Sequence, residues 1–269
     1  MTTLSKAQVN AAADALFQAE LERRQIEALT LSHPAMDMGD AYAIQAEVME
    51  RKLAQGQQVV GYKVGLTSRA MQRAMKIDTP DYGVLLDSMQ FADGAEIEAA
   101  QFTDLRVEME LAFVLKQPLF GTNLNIMDVL NATHYVIPAL ELIAARSHRV
   151  HPATGYVRTV MDTIADNAAS AGFVMGGNPV RPDTVDLRWC GGILYRNAVI
   201  EETGLAAAVL GHPANGICWL ARRFAAHGIA LQPGQILLSG SFTSAITLKA
   251  GDTLHADYGA LGSISCRFV

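Results

Sequence analysis

The sequence predicts an α+β protein in which a helical N-terminal extension, residues 1–58, precedes a β-rich domain, residues 59–269. Two observations carry this prediction. Apolar side chains show helical spacing in the first part, and from residue 59 onward the apolar runs become short and β-like. Helices do not alternate regularly with these runs, which argues against a doubly wound sheet and for a β-rich barrel or roll. The alternative is that the N-terminal helices form the first layer of one compact domain.

Capping signals support the two N-terminal helices. Ser5 and Gln8 have the spacing of a capping box at the start of the first helix, which we expect to run to about residue 29. Asp37 can cap a second helix over Gly39–Leu53, and Gly56 can end it.

The rest of the chain contains seven β-like runs punctuated by glycine and proline. They are Val59–Val64, Val107–Leu115, Tyr135–Ile143, Ala171–Met175, Leu187–Tyr195, Ile236–Leu238 and Ser263–Val269. The clearest helix in this part spans Pro213 to about Ala226, with Gly228 as its stop.

Composition excludes several classes of partner. The net charge is −6 and the basic residues are dispersed, so the chain lacks the basic stripe that nucleic acid requires. The longest uncharged stretch, residues 228–248, is interrupted by polar residues and does not resemble a membrane span. The start of the chain lacks the apolar core of a signal peptide, and the three cysteines are widely spaced. These features predict a cytoplasmic protein with no membrane partner.

Two acids inside one apolar run are the most informative local feature. Glu108 and Glu110 alternate with apolar residues, so on a strand both carboxylates fall on one face, about 6–7 Å apart along the backbone. Glu141 occupies a second apolar run. Buried like charges are costly unless a cation lies between them. Three carboxylates on neighbouring strands predict an all-oxygen site for Mg²⁺ or Mn²⁺; the alternative is a solvated face or pairing with arginine.

These residues also carry a family resemblance. The segments Gly61–Ser68, Pro80–Gly83, Arg106–His148 and Gly262–Phe268 resemble the hydratase/decarboxylase branch of the fumarylacetoacetate hydrolase superfamily. The resemblance covers nearly the whole chain. It implies a rolled mixed β-sheet core of the fumarylacetoacetase type, and a large homo-oligomer such as a decamer built from dimers.

Lys63 and Asp81 are the predicted catalytic residues. Lys63 lies between Gly61 and Gly65, and a buried lysine beside a divalent cation has a depressed pKa suited to proton transfer. The alternative is a surface lysine at a strand end, but the resemblance places a lysine of this motif in the active site. Asp81 could hold a water or orient Lys63, or could only fix a turn. Residues 68–78, including Met71 and Met75, resemble a short amphipathic helix and are a candidate lid.

Candidate substrate ligands lie on both sides of the acids. Arg106 falls on the same strand face as Glu108 and could bind a substrate carboxylate, as could Arg146; a structural ion pair is the alternative for both. Ser241 and Thr243 lie in a turn that resembles the Gly-Thr turn which hydrolytic relatives place against the substrate carboxylate, with serine at the threonine position.

The resemblance implies a Mg²⁺-dependent hydratase acting on a small 2-oxo or 2-hydroxy dienoate. Within the branch, the sequence is most similar to enzymes that hydrate 2-oxo-hept-3-ene-1,7-dioate, or its 2-hydroxyhepta-2,4-diene-1,7-dioate tautomer, to 4-hydroxy-2-oxoheptane-1,7-dioate in homoprotocatechuate breakdown. The alternatives are hydration of 2-hydroxypenta-2,4-dienoate and decarboxylation of 4-oxalocrotonate. A non-catalytic alternative is a structural subunit braced by the metal. A purely structural site would have no use for a lysine beside the cation.

Overall fold

A computed structural model describes residues 3–68, 72–73 and 77–269. The helices in this part of the chain are α1 (Lys6–Leu21), α2 (Leu29–Ser32), α3 (Met38–Ala54), α4 (Ile126–Ala132), α5 (Val160–Ala165) and α6 (Ala214–Ala225). The strands are β1 (Val59–Gly65), β2 (Asp81–Leu86), β3 (Gln90–Phe91), β4 (Glu96–Ile97), β5 (Arg106–Leu115), β6 (Thr133–Ile143), β7 (Ser170–Met175), β8 (Gly191–Arg196), β9 (Val199–Leu205), β10 (Ile236–Leu238), β11 (Ile246–Thr247), β12 (Thr253–Asp257) and β13 (Ser263–Phe268).

Two sheets organise these strands. The larger has the order β2-β1-β10-β5-β6-β7-β3, with β11 also paired to β5, and the smaller has the order β4-β13-β12-β8-β9. The large sheet is mixed, because β1 pairs with β10 and β3 with β7 in parallel while the long central pair β5 and β6 is antiparallel. The predicted α+β class with a mixed sheet core is therefore confirmed.

Strand β5 separates two apolar cores. Its odd-numbered side chains, among them Met109 and Phe113, belong to a core that includes residues of the smaller sheet and α6. Its even-numbered apolar residues, Ala112 and Val114, belong to a second core. Because both faces of β5 are covered, most of the strand is buried, and any polar side chain on it must find a partner inside the protein.

The N-terminal helices cover the second core. Apolar residues of α1 and α3 share this core with strands β2, β5, β7 and β10. The Gln45 amide of α3 donates hydrogen bonds to the carbonyls of Tyr82 and Ile164, 3.0 Å away in each case, which ties the helix to β2 and to α5. The predicted division at residue 58 falls in the connection between α3 and β1.

Local sequence signals correctly predicted where three of the helices begin. The capping box of Ser5 and Gln8 is present, Asp37 caps α3, and α6 begins directly after Pro213. The first helix ends at Leu21 and not near residue 29, because Arg23 adopts a left-handed φ of 53° and leaves the helical path. Met71 and Met75 of the predicted lid lie outside the described residues. No helix in the described ranges is long and apolar enough to cross a membrane.

Candidate active site

Three glutamates meet on the central strand pair. The register of β5 and β6 sets Glu108 directly opposite Glu141, and Glu110 lies two residues further along the same face of β5. One carboxylate oxygen from each side chain lies within 4.8 Å of the others. Glu110 and Glu141 are fully buried, whereas Glu108 is partly exposed. The structure thus brings together the three acids that the sequence predicts as metal ligands.

The buried oxygens of this cluster fit a hard divalent cation. Both oxygens of Glu141 and Oε1 of Glu110 are buried and have no hydrogen-bond partner among the described residues. Glu110 Oε2 accepts a hydrogen bond of 2.8 Å from the Gly240 N–H. Unpartnered buried carboxylate oxygens are expensive, and oxygen-only ligand sets suit Mg²⁺, Mn²⁺ or Ca²⁺.

Lys63 and Asp81 border the three glutamates. The Lys63 Nζ lies 3.4 Å from Glu141 Oε1, and both side chains are buried. Asp81 pairs in register with Gly65 at the start of β2. A Cβ at residue 65 would lie 2.2 Å from Asp81 Oδ1 and 3.2 Å from Lys63 Nζ, so the glycine makes room for both groups. Asp81 is a strand residue and not the turn residue of the alternative prediction.

Burial and mutual repulsion change the pKa of the acids. Burial, with repulsion from Glu141 next, raises the pKa of Glu108 to about 7. The same causes, with Glu108 added, raise the pKa of Glu110 well above its usual value. For Asp81, burial outweighs attraction by Lys63 and raises the pKa to about 6. Without a cation the cluster therefore holds protons near neutral pH.

The pKa of Lys63 moves in the opposite direction from the sequence-based expectation. Burial lowers it, but Glu141, Asp81, Glu108 and Glu110 together raise it to about 12. The sequence-based expectation of a depressed pKa assumed that a divalent cation lies beside the lysine. In the protein without metal, four carboxylates surround Lys63 instead. The ammonium form of Lys63 is thus strongly held.

A second polar group lies at the entrance to β5. Arg106 and Arg149 share the carboxylate of Asp104: Arg149 Nε donates to Asp104 Oδ2 at 2.5 Å, and Arg106 Nε lies 3.6 Å from Asp104 Oδ1. Arg106 is on the face of β5 that carries Glu108, as predicted. Arg149 and Asp104 were not among the residues predicted from sequence to form the site. The only local signal was a basic residue in the polar loop that follows Glu141.

The predicted substrate ligands Ser241 and Thr243 hold backbone groups. The Ser241 hydroxyl donates to the Thr243 carbonyl at 2.8 Å, and Thr243 Oγ1 accepts from the Met109 N–H at 3.2 Å. Gly240, which precedes them, has a φ of 113°, and a side chain there would collide with Thr67. This turn presents the Gly240 N–H to Glu110.

Arg146 belongs to a structural ion pair and not to the substrate site. Its Nε donates to Asp166 Oδ1 at 2.5 Å, and its Nη groups donate to the carbonyls of Asp166 and Ser170. Arg158 also contacts Asp166, at 3.5 Å. These bonds occupy the guanidinium of Arg146 and attach the end of β6 to the turn before β7.

Comparison with known proteins identifies relatives across the whole chain. The family model "Fumarylacetoacetate (FAA) hydrolase C-terminal" matches residues 46–269. The chain is 54% identical over 257 residues to 2-oxo-hept-4-ene-1,7-dioate hydratase of Escherichia coli, covering 96% of each protein. It is 37% identical over 267 residues to 4-oxalocrotonate decarboxylase of Pseudomonas putida, covering 99% of each.

A solved structure agrees with these matches. The structure of 4-oxalocrotonate decarboxylase from Pseudomonas putida G7, complexed with magnesium and adipate, superposes with a TM-score of 0.94 at 36% identity and covers 100% of both chains. The predicted fold of the fumarylacetoacetase type is confirmed by this likeness. On the evidence of the family model and of relatives matched along nearly their full length, the chain belongs to the fumarylacetoacetate hydrolase family.

Proposed function

We propose that this protein is a divalent-metal-dependent hydratase that adds water to the dienoate 2-hydroxyhepta-2,4-diene-1,7-dioate, giving 4-hydroxy-2-oxoheptane-1,7-dioate in aromatic catabolism, as in homoprotocatechuate breakdown. The observation that carries the proposal is a buried lysine beside three buried or half-buried glutamates, two of which, Glu110 and Glu141, have buried oxygens without a hydrogen-bond partner among the described residues. The name of the Escherichia coli relative supports the substrate. The 2-oxo-hept-4-ene in that name and the 2-oxo-hept-3-ene form are two keto tautomers of one dienol.

Glu108, Glu110 and Glu141 would hold the cation. We propose magnesium, because the oxygen ligands suit it and the solved decarboxylase relative contains it. When bound there, the ion supplies positive charge that stabilises negative charge developing on the oxygens of a 2-oxo acid. The N–H of Gly240 fixes the orientation of the Glu110 carboxylate through Oε2, which leaves Oε1 for the ion.

Lys63 and Asp81 would then move the protons of the reaction. Lys63 donates a proton to C5 of the dienol and, once neutral, accepts the enol proton, which leaves the 2-oxo-3-ene, whose C4 is electrophilic. Asp81 binds a water molecule and accepts one of its protons while the oxygen adds to C4. Asp81 then returns the proton that it took from water to C3, which completes net addition of one water across C3 and C4. The Oδ1 atom of Asp81 is suited to this role, because it is buried and has no hydrogen-bond partner among the described residues.

For the remaining predicted residues we propose different roles. Arg106 faces the substrate from the strand face that carries Glu108. Ser241 and Thr243 position the turn that presents the Gly240 N–H, because their hydroxyls bind backbone groups of this turn and of β5. If Ser241 has this positioning role, Ser241→Ala should weaken metal binding. Unchanged metal affinity of this variant in calorimetry would rule out the positioning role.

The reaction can be tested with purified protein, Mg²⁺ and three substrates: the seven-carbon dienoate, 2-hydroxypenta-2,4-dienoate and 4-oxalocrotonate. We expect loss of the ultraviolet absorbance of the seven-carbon dienoate and a product heavier by one water in mass spectrometry. A product lighter by one carbon dioxide would identify a decarboxylase, the activity named for the Pseudomonas putida G7 relative of solved structure. No turnover of any of the three would leave the structural-subunit alternative.

We also propose that the chain forms a homo-oligomer. Strand β9 is an edge of the smaller sheet and exposes Val199, Ile200 and Leu205, while the nearby Trp189 is 69% exposed. Exposed apolar edges favour association. The protein should sediment well above its monomer mass of 28.9 kDa. A monomer at micromolar concentration in analytical ultracentrifugation would contradict this.

A further inference from the structure

The group formed by Arg106, Arg149 and Asp104 contains more positive than negative charge. Two guanidinium groups share one carboxylate, so the group carries a surplus of one positive charge. Arg106 Nε and Arg149 Nη2 are buried, and neither has a hydrogen-bond partner within the described residues. Buried donors of charged groups are expensive to leave unpaired, which indicates that these nitrogens have a partner in the working protein.

The backbone holds this group at a fixed place beside the glutamates. Asp104 has a left-handed φ of 50°, which an aspartate tolerates better than most residues. Next to it, the Thr103 hydroxyl and carbonyl both bind residue Ala145, with bonds of 2.7 and 2.9 Å, so the turn before β5 is tied to the segment after β6. Arg149 reaches Asp104 from the base of a hairpin in which Val150 pairs with Val157.

The spacing suits a diacid. Along β5, Arg106 and Glu108 are two positions apart, which corresponds to about 6–7 Å along the backbone. In an extended seven-carbon diacid the five bonds from C2 to C7, each about 1.5 Å long, span roughly 6 Å. Arg149 is held beside Arg106 because both side chains contact the carboxylate of Asp104. The backbone positions of Arg106 and Glu108 are thus about one substrate length apart.

We propose that Arg149, together with Arg106, binds the distal carboxylate of the substrate and thereby selects a dicarboxylic 2-oxo acid over a monocarboxylic one. The unpaired N–H groups of the two planar forks donate to the carboxylate, and Asp104 keeps the forks in place. The inference rests on the proposed function, because it takes the 2-oxo acid end of the substrate to be bound at the glutamates.

The test uses binding and not turnover. Calorimetry in the presence of MgCl₂ compares 2-oxoheptanedioate, a saturated analogue of the seven-carbon substrate, with 2-oxopentanoate, which lacks the distal carboxylate. In Arg149→Met, which keeps the length of the side chain, we expect binding of the diacid to weaken by about 10- to 100-fold, the loss of hydrogen bonds to a charged group. Binding of the monoacid should be unchanged.

Two further variants complete the design. Arg149→Lys keeps the charge but not the fork and should show a smaller loss specific to the diacid. Arg181→Met is the matched control, because it removes an exposed arginine that pairs with Asp183, two residues along the chain. Equal losses for both ligands in Arg149→Met, no loss for either, or the same diacid-specific loss in Arg181→Met would overturn the proposal. Because neither analogue can be hydrated, a failed hydration assay would count against the proposed function alone.

Discussion

Replacing Lys63 with methionine should reduce kcat for hydration by about 10²–10⁴-fold, the range expected when a general acid–base residue is lost. Methionine keeps the length and apolar packing of the buried side chain but has no proton to transfer. The KM should change far less than kcat, since the proposed role of Lys63 is in proton transfer and not in substrate binding. Steady-state kinetics on the seven-carbon dienoate measures both.

Folding and metal binding should survive the change of Lys63. The ammonium competes with the cation for Glu141, from which it lies 3.4 Å away, so its removal should leave Mg²⁺ affinity equal or higher. Lys249→Met, which changes an exposed lysine, is the matched control and should keep the wild-type rate. If Lys63→Met hydrates within a few-fold of the wild type, proton transfer must be reassigned to Asp81.

A second large effect, on Mg²⁺ affinity, is expected when one of the three glutamates is replaced. In Glu141→Gln we expect Mg²⁺ affinity to fall by at least about 100-fold, because loss of a direct ligand should exceed the 10- to 100-fold cost typical of outer-shell changes. Calorimetry after chelator treatment should show one site per chain in the wild type. The control variant Glu50→Gln, which changes an exposed glutamate of α3, should bind Mg²⁺ as tightly as the wild type does. Unaltered stoichiometric binding in Glu141→Gln would remove this residue from the site.

The pH dependence of metal binding follows from the raised pKa of the acids. Burial and the repulsion of Glu141 put the pKa of Glu108 at about 7, so below that pH the cation must displace a proton from this carboxyl. Affinity should therefore fall as pH drops from about 8 to about 6. Titrations in buffers of different ionisation enthalpy should also show proton release. Affinity that rises toward acid pH would contradict the assignment of Glu108 and Glu110 as ligands.

Sequence reasoning succeeded where the signal is local. The alternation around Glu108 and Glu110 specifies one face of a strand, and the two glycines around Lys63 specify close packing, so both placements follow from periodicity and side-chain size. The helix caps were found for the same reason. Strand β9 was missed, since it is largely exposed and lacks the apolar run that marks a buried strand.

The parts that sequence could not predict depend on contacts between distant segments. Arg149 meets Asp104 across 45 residues, through a hairpin whose path no local pattern specifies. The hydroxyl of Ser241 could have bound a ligand or the backbone, and only the fold shows that it binds the backbone. The raised pKa of Lys63 likewise comes from carboxylates on other strands.

The metal dependence of hydration in the wild-type protein is the most direct test of the proposed function. The ultraviolet absorbance of 2-hydroxyhepta-2,4-diene-1,7-dioate is followed with chelator-treated enzyme before and after Mg²⁺ is added. If the protein is a metal-dependent hydratase, turnover should be negligible in the treated enzyme and should recover with one equivalent of metal per chain, with a product heavier by one water. Full hydration by enzyme shown to be free of metal would contradict the proposed function, because the three glutamates would then have no part in the reaction.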